Sequence, residues 1–237
     1  MKKLLGRVIY LSICLLPWPL RRHALQQCYG YRIHPSARIG RSWIRPTRLI
    51  MEKDSSIGNY NRCTGIELLE LQEGAHIGNS NQIFGPRLGS TADYTHRDRF
   101  PALRMAPFSD ITNCHLMDCT DTVRIGRGSL IAGYNTQFLS HSMDLKRARQ
   151  DCEPITIGDA CFVATGSIVL KGVMLPDRSV LGPGSVLRKQ VVGKAGLYWG
   201  VPAARMDDTT HYAQWFDLHA EAPALTNPCA AGASDRD

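Results

Sequence analysis

His141 is the side chain in this sequence best suited to acid–base chemistry. It is one of eight histidines and stands in Ser140–His141–Ser142–Met143–Asp144, where a regular apolar pattern is interrupted. Because a histidine pKa lies near neutrality, the ring can take a proton from a hydroxyl group as that group attacks an electrophile. Asp144, Glu153 or a backbone carbonyl could hold the second ring nitrogen. By position alone, an ordinary solvent-exposed loop histidine is the simpler interpretation.

Basic residues follow His141 along the chain: Lys171, Arg188, Lys189 and Arg205. Each of them alone is typical of a solvated surface charge. As a set they favour a ligand that carries several negative charges, such as a nucleotide with phosphates.

A repeat of six residues must position these side chains. Aliphatic residues recur at that spacing from 157 to 187, in the column Ile157, Val163, Val169, Leu175, Leu181 and Leu187. A column of small or β-branched residues lies two positions earlier: Ile155, Cys161, Ser167, Val173, Ser179 and Ser185. An α-helix would scatter these positions around its cylinder. A β-sandwich would show alternation by two and wider turn spacing. The hexad therefore predicts an all-β solenoid of very short strands.

The repeat continues upstream in broken form, with phase slips between the runs. The upstream runs are Ile33 and Ile39, Ile57 and Cys63, Leu71, Ile77 and Ile83, and Ile125 and Ile131. Loops or irregular corners should interrupt the coils where the phase slips. We expect two insertions, at about 85–111 and 141–154. Long unpatterned loops in compact domains are usually functional or disordered, and the aromatic and arginine residues of the first suit sugar stacking or subunit contact.

The repeat resembles that of the hexapeptide-repeat acyltransferases. The resemblance rests on Ile157–Gly158–Asp159 through Leu187 and on Gly200–Val201–Pro202–Ala203, and it covers about residues 31–206. It is closest to the O-acetyltransferases of bacterial exopolysaccharide, capsule and colanic-acid clusters, through Ser140–Asp144 and Asp151–Gly158. The resemblance implies a left-handed parallel β-helix and a homotrimer.

The same resemblance assigns roles to individual residues. It implies that His141 is the catalytic base and that Asn113 and Asp144 lie on the acceptor side. It implies a coenzyme A groove, with a backbone N–H of the stretch 164–166 as donor to the thioester oxygen; together with the basic residues, the expected cofactor-binding set is Ala164, Gly166, Lys171, Gly182, Lys189, Pro202 and Arg205. No metal is expected to be required.

These observations predict an acetyl-CoA-dependent O-acetyltransferase that acts directly on a sugar hydroxyl of a bacterial surface polysaccharide or its precursor. One alternative is a non-catalytic solenoid that organises a polysaccharide assembly complex. A zinc carbonic anhydrase is another, but it needs three converging histidine ligands. Position 146, five residues after His141, is a lysine.

The N-terminal segment has a strongly basic composition. Residues 1–51 contain ten Lys or Arg and no acidic residue, which suits an anionic surface better than nucleic acid, since no nucleic-acid-binding motif accompanies them. We expect residues 1–30 to form a helix with Leu4, Val8, Leu11 and Leu15 on one stripe, and residues 1–22 to contact an anionic membrane, cap the solenoid, or both. A cleaved signal peptide is less favoured because no small-x-small site follows the apolar run.

The remaining features bound the compartment and the C-terminus. The eight cysteines form no CxxC pair or zinc spacing, and Cys63 and Cys161 fall in repeat columns. Such cysteines fit a protein of the reducing cytosol. If the N-terminus binds lipid, we expect the protein on the inner face of the cytoplasmic membrane. Residues 207–237 should form a tail with a short helical aromatic segment and a frayed end.

Overall fold

In the computed structural model, the described residues are 2–90, 94–189 and 193–220, without the side chains of residues 2–7, 218 and 220. The chain begins with two helices, α1 (Lys2–Cys14) and α2 (Trp18–Tyr29). The expected single helix over 1–30 is therefore broken. Pro17 is the N-cap of α2, and proline favours a helix start but disrupts a helix interior.

Short strands follow in groups of three, and each group is one turn of the chain, which we call a coil. Coils 1 to 4 contain β1 (Arg32–Ile33), β2 (Arg38–Ile39), β3 (Trp43–Arg45); β4 (Arg48–Met51), β5 (Ser56–Ile57), β6 (Arg62–Thr64); β7 (Leu68–Leu71), β8 (His76–Ile77), β9 (Gln82–Phe84); and β10 (Ala102–Met105), β11 (Asp110–Ile111), β12 (Leu116–Asp118). Coil 5 contains β13 (Val123–Ile125), β14 (Leu130–Ile131) and β15 (Gln137–Leu139).

An antiparallel hairpin, β16 (His141–Asp144) and β17 (Arg149–Cys152), separates coil 5 from the last two coils. These contain β18 (Ile155–Ile157), β19 (Phe162–Val163), β20 (Ile168–Leu170) and β21 (Met174–Leu175), β22 (Val180–Leu181), β23 (Val186–Leu187). The chain then forms β24 (Leu197–Gly200) and β25 (Ala203–Asp207), a 3₁₀ turn at Thr210–Tyr212, and α3 (Ala213–Ala220).

The three strands of each coil belong to three different sheets. The first strands form sheet A, the second strands sheet B and the third strands sheet C, and strands of successive coils pair in parallel. The described chain is thus a three-sided parallel solenoid, as the hexad predicts. The antiparallel pair β24–β25 extends sheet B, and Trp215 of α3 packs edge-on against Phe162 on the outside of that sheet.

The predicted columns form the core. Each of the six aliphatic residues from Ile157 to Leu187 is the inward residue of one strand and is at most 1% exposed. The column of small residues is equally buried and lies at the corners, where Ser167 donates its hydroxyl to the carbonyl of Ala164 (2.9 Å). The hexad therefore marks one recurring core position in each of these strands.

Most of the phase slips arise at one corner, although the steps from Ile39 to Ile44 and from Ile131 to Phe138, between sheets B and C, are five and seven residues. Between Met51, Ile57 and Cys63 the core positions step by six, but Leu71, which pairs with Met51 in the next coil, comes eight residues after Cys63. The extra residues lie where the chain leaves sheet C and enters sheet A of the next coil, which we call the C–A corner. The corner between sheets B and C within one coil is the B–C corner.

Both insertions also leave from the C–A corner. The first occupies residues 85–101, shorter than the expected 85–111, because β10 and β11 already belong to coil 4. The core residues of coil 4, Met105, Ile111 and Met117, step by six, but the polar residues between them obscure the pattern. The second insertion is the hairpin β16–β17, not an irregular loop.

In the part of the chain described, no helix combines the length and apolar character needed to cross a bilayer. The expected frayed end beyond residue 220 lies outside the described residues.

Candidate active site

His141 is the first residue of β16, at the point where the hairpin leaves the C–A corner. The preceding coil places Asp118, the last residue of β12, beneath it, because β12 pairs with β15. The fully buried Asp118 carboxylate forms a short hydrogen bond with Nδ1 of His141 through Oδ2. The same oxygen accepts a hydrogen bond from the backbone N–H of His141 (3.2 Å).

The carboxylate of Asp118 is itself fixed. Its Oδ1 accepts hydrogen bonds from the backbone N–H of Thr120 (2.9 Å) and from the Thr120 hydroxyl (2.7 Å). With Nδ1 held by the carboxylate, Nε2 is the ring nitrogen free to exchange a proton, on a side chain that is 37% exposed. Buried acceptor, oriented imidazole and partial exposure are the arrangement that a general base requires.

Asp118 was absent from the candidates that the sequence offered for orienting His141. Asp144 instead forms an ion pair with Arg147 (2.9 Å) within the hairpin, and Glu153 pairs with Lys189 (2.6 Å). The usable signal was the step from Met105 to Met117, which places residue 118 on the strand that stacks against Leu139.

The Asp118 hydrogen bond raises the pKa of His141 above its ordinary value of 6.5. Partial burial and the positive charge of Lys171 act in the opposite direction. The ring is therefore a stronger base than a free histidine, and a larger share of it is protonated at neutral pH.

Two of the predicted basic residues, Lys171 and Lys189, lie at this corner and are paired. Nζ of Lys171 lies 2.5 Å from Asp151 of β17. Gly172 has φ +72°, and a side chain there would collide with the Glu153 carboxylate (2.5 Å) and with Lys189 (3.0 Å). Lys171 and Lys189 thus fix the base of the hairpin to coils 6 and 7.

The first insertion is tied to the hairpin through the same carboxylate. Asp151 accepts a hydrogen bond from Nε of Arg97 (2.5 Å), and His96 lies 3.8 Å away. Arg99 of this insertion donates to the carbonyls of Pro86 (2.8 Å) and Thr120 (2.9 Å). The insertion, the hairpin and the Asp118–Thr120 segment therefore form one connected structure around His141, which sequence reasoning missed.

Several predicted cofactor residues lie at the other edge of sheet C. Ala164 and Gly166 are at the B–C corner, where their N–H groups donate to Leu181 (2.9 Å) and Tyr134 (2.9 Å), respectively. Two of the three N–H groups in the stretch expected to face the thioester oxygen, residues 164–166, are thus already used. Gly182 is at the same edge. A Cβ atom added to Gly182 would lie 2.7 Å from the ring of Trp199.

Asn113, predicted on the acceptor side, also lies at the B–C corner. Its Oδ1 accepts hydrogen bonds from the backbone N–H (2.7 Å) and the amide (3.0 Å) of Asn79, which in turn accepts from the N–H of Asn59 (2.8 Å). Asn113 therefore stacks coils in an asparagine ladder. Pro202 lies in the turn between β24 and β25, and Arg205 donates to the carbonyl of Ala195 (3.0 Å).

Sheet C separates the two groups of predicted residues within one chain. His141, Lys171 and Lys189 lie at the C–A corner, whereas Asn113, Ala164, Gly166 and Gly182 lie at the B–C corner. A three-residue strand spans about 10 Å, and the corners add to that separation. One copy of the chain does not bring the two groups together.

Among the described residues, no group of three or more His, Cys, Asp or Glu side chains is placed so that it could hold a metal ion. The buried His115, which directly precedes β12, has a structural role: it bonds to Thr112 (2.9 Å) and Thr136 (3.1 Å), and burial lowers its pKa to about 4.

Comparisons with known proteins identify the fold. No family model matches the chain. The polysialic acid O-acetyltransferase OatWY superposes with a TM-score of 0.51, at 17% sequence identity, over 76% of this chain and 84% of its own. A hexapeptide-repeat acetyltransferase from Vibrio cholerae aligns at 20% identity over 86% of this chain and 88% of its own, with a TM-score of 0.46. An N-acyltransferase from Bacillus cereus aligns at 11% identity over 83% and 93%, with a TM-score of 0.49. The predicted resemblance is confirmed at the level of the fold.

Proposed function

We infer that this chain is a hexapeptide-repeat acyltransferase, and we propose that it transfers an acetyl group from acetyl-CoA to a sugar hydroxyl of a bacterial surface polysaccharide or its precursor. The observation that carries the proposal is the buried Asp118 carboxylate on Nδ1 of His141, at the base of the hairpin. The fold shared with a polysialic acid O-acetyltransferase supports the class of reaction. The left-handed sense of the coils is part of the proposal.

The proposed reaction is a direct transfer. Nε2 of His141 removes the proton of the sugar hydroxyl as its oxygen attacks the thioester carbonyl. The tetrahedral intermediate then collapses, the bond from carbon to sulfur breaks, and the thiolate takes the proton from the imidazolium. The products are the sugar ester and free coenzyme A. Asp118 stabilises the imidazolium that forms between the two steps.

We propose that the complete site forms between copies of the chain in a homotrimer. The donor-side residues at the B–C corner and His141 at the C–A corner can meet only if the edge of one sheet C faces the other edge on a neighbour. The outer face of sheet C supports such packing, because it carries a row of half-buried apolar side chains: Leu116, Leu139, Ile168, Leu170 and Val186. Trp199, which lies over Gly182, is a candidate platform for the adenine ring.

The acceptor side is assigned to the two joined insertions. Arg97, Arg99 and the hairpin stand next to His141, and their composition suits a polar acceptor. Arg149 and Arg188 are exposed at the same corner, and neither forms a salt bridge with another residue of the described ranges. We place the enzyme in the cytosol, peripheral to the inner face of the cytoplasmic membrane.

The test is release of free thiol from acetyl-CoA by the purified protein, with and without a panel of sugars that includes sialic acid oligomers, nucleotide sugars and neutral oligosaccharides. Release should depend on one class of acceptor. His141→Ala should lower that rate by about 10²- to 10⁴-fold, whereas His23→Ala, on the exposed side of α2, should not. An unchanged rate in His141→Ala would refute the catalytic assignment. Retained coenzyme A binding without any transfer would favour a non-catalytic solenoid.

A further inference from the structure

Helices α1 and α2, here called the helical cap, have one face that is fixed to the first coil. Tyr10 is completely buried, and its hydroxyl donates to the carbonyl of Ile44 (2.8 Å) and accepts from the N–H of the same residue (3.0 Å). Arg21 of α2 is also buried and donates to the carbonyl of Gly40 (2.8 Å). These bonds cover the open edge of β3 and the segment that leads into it, which would otherwise expose unpaired backbone groups. The orientation of the cap is therefore set.

The opposite face of the same cap is apolar and exposed. Val8 and Leu11 of α1 are 52% and 54% exposed, Leu15 directly after it is 87% exposed, and Leu20 of α2 is 59% exposed. Val8, Leu11 and Leu15 recur at helical spacing, so they share one side of the helix. Ile9 and Leu16 add to the exposed area. Six large apolar side chains within thirteen residues exceed the scattered exposure normal for a soluble surface.

All charged side chains of the chain segment that carries this face are positive. The chain contains no acidic residue before Glu52. Arg32, Arg38 and Arg41 of the first coil are exposed, and the salt bridges formed by the described residues begin only at Lys53. The side chains of Lys2, Lys3 and Arg7, which the sequence also contributes to this charge, lie outside the described part of the structure. An apolar face bordered by cations is complementary to an anionic lipid surface.

We propose that the face formed by Val8, Leu11, Leu15 and Leu20, here called the apolar cap face, docks into the headgroup region of an anionic bilayer. The helices lie in the interface, since α1 is 13 residues long and neither helix can span the membrane. A second copy of the chain is a poorer occupant, because two basic caps would repel each other. The proposal is independent of the acetyl transfer proposed above.

Vesicle flotation of the full-length protein tests the proposal. The protein should float with vesicles of phosphatidylglycerol and phosphatidylethanolamine at low salt, and much less with pure phosphatidylcholine or at high salt. Leu15→Glu should reduce the lipid-bound fraction by about tenfold or more, because it places a charge where the proposal has an apolar side chain entering the bilayer. Met174→Glu is the matched control, since Met174 is 68% exposed on sheet A.

The variants are informative because position 15 makes no core contact in the described cap. Leu15→Glu should retain the thermal unfolding midpoint and the oligomeric mass of the parent protein. Absence of flotation with the anionic vesicles, or equal flotation of Leu15→Glu and the parent, would overturn the proposal. A change of oligomeric mass in Leu15→Glu would do so as well, since it would identify the face as a contact between copies. Deletion of residues 1–20 is a poorer test, because it also removes the buried Tyr10.

Discussion

At the scale of single residues, the site depends on a buried carboxylate that fixes one ring. Asp118 determines which nitrogen of His141 can accept a proton, and it raises the pKa of the ring. Its own position is fixed by Thr120, so the pair is organised before any substrate arrives. The chemistry of the site is therefore set by three side chains from two adjacent coils.

The pH dependence of transfer follows from this pair. A general base works only when neutral, so the rate should fall on the acid side of the His141 pKa, which Asp118 holds above 6.5. Asp118→Asn should move that acid limb to lower pH and lower the plateau rate by roughly 10²-fold through loss of orientation. The measurement is kcat/KM against pH for both proteins.

Asp144→Asn is the matched control, because Asp144 bonds only within the hairpin. An acid limb that stays in place in Asp118→Asn would show that another group controls the profile.

The sequence identified His141 but not Asp118, for a physical reason. Which residue of one coil stacks on another depends on the number of residues at each corner, and that number varies along this chain.

At the scale of elements, the two insertions are joined by one carboxylate. Asp151 of β17 binds Arg97 of the first insertion and Lys171 of coil 6, and these cations hold the pKa of Asp151 well below its usual range. The connection thus remains ionised throughout the physiological pH range. It couples the first insertion, the hairpin and the solenoid beside His141.

Asp151→Asn should loosen the first insertion without affecting the donor side. We expect a higher KM for the sugar acceptor, an unchanged Kd for coenzyme A, and faster amide hydrogen exchange across residues 94–101. Unaltered exchange in that segment would show that other contacts, such as those of Arg99, suffice to hold it. Arg147→Gln, which removes an exposed ion pair of the hairpin tip, serves as the comparison.

The core columns make a separate prediction about stability. Leu175→Ala should cost about 2–5 kcal/mol in the free energy of unfolding, because it opens a cavity at a fully buried core position. Met174→Ala, one residue away and exposed, should cost far less. Urea unfolding of both variants measures the difference. Similar losses would mean that position 175 is not a core position of the solenoid.

The elements were predictable to different degrees. The hexad predicted the solenoid because one inward residue recurs at the same place in every short strand, so six residues separate these core positions wherever the corners are tight. It did not predict the extent of the first insertion or the hairpin. The polar residues of β10 to β12 obscure their core positions, and the hairpin β16–β17 buries only Asp151 and Cys152, neither of which belongs to the main core cluster.

At the scale of the whole molecule, the proposed site needs more than one chain. Ile168 lies on the outer face of sheet C, so Ile168→Glu should place a charge in the proposed interface. We expect the molar mass in light scattering to fall from trimer to monomer and transfer activity to fall with it. Thr156→Glu, on the outer face of sheet A, should change neither. A monomeric parent protein with full activity would contradict the shared site.

The C–A corner has a consequence for how such a protein can change over evolutionary time. Additional residues at this corner leave the six-residue steps on either side intact, as the extra residues before Leu71 and the first insertion show. Segments can therefore be lengthened, shortened or exchanged there without shifting the register of the remaining coils. Acceptor preference can then diverge among relatives while the general base and the donor groove are inherited unchanged.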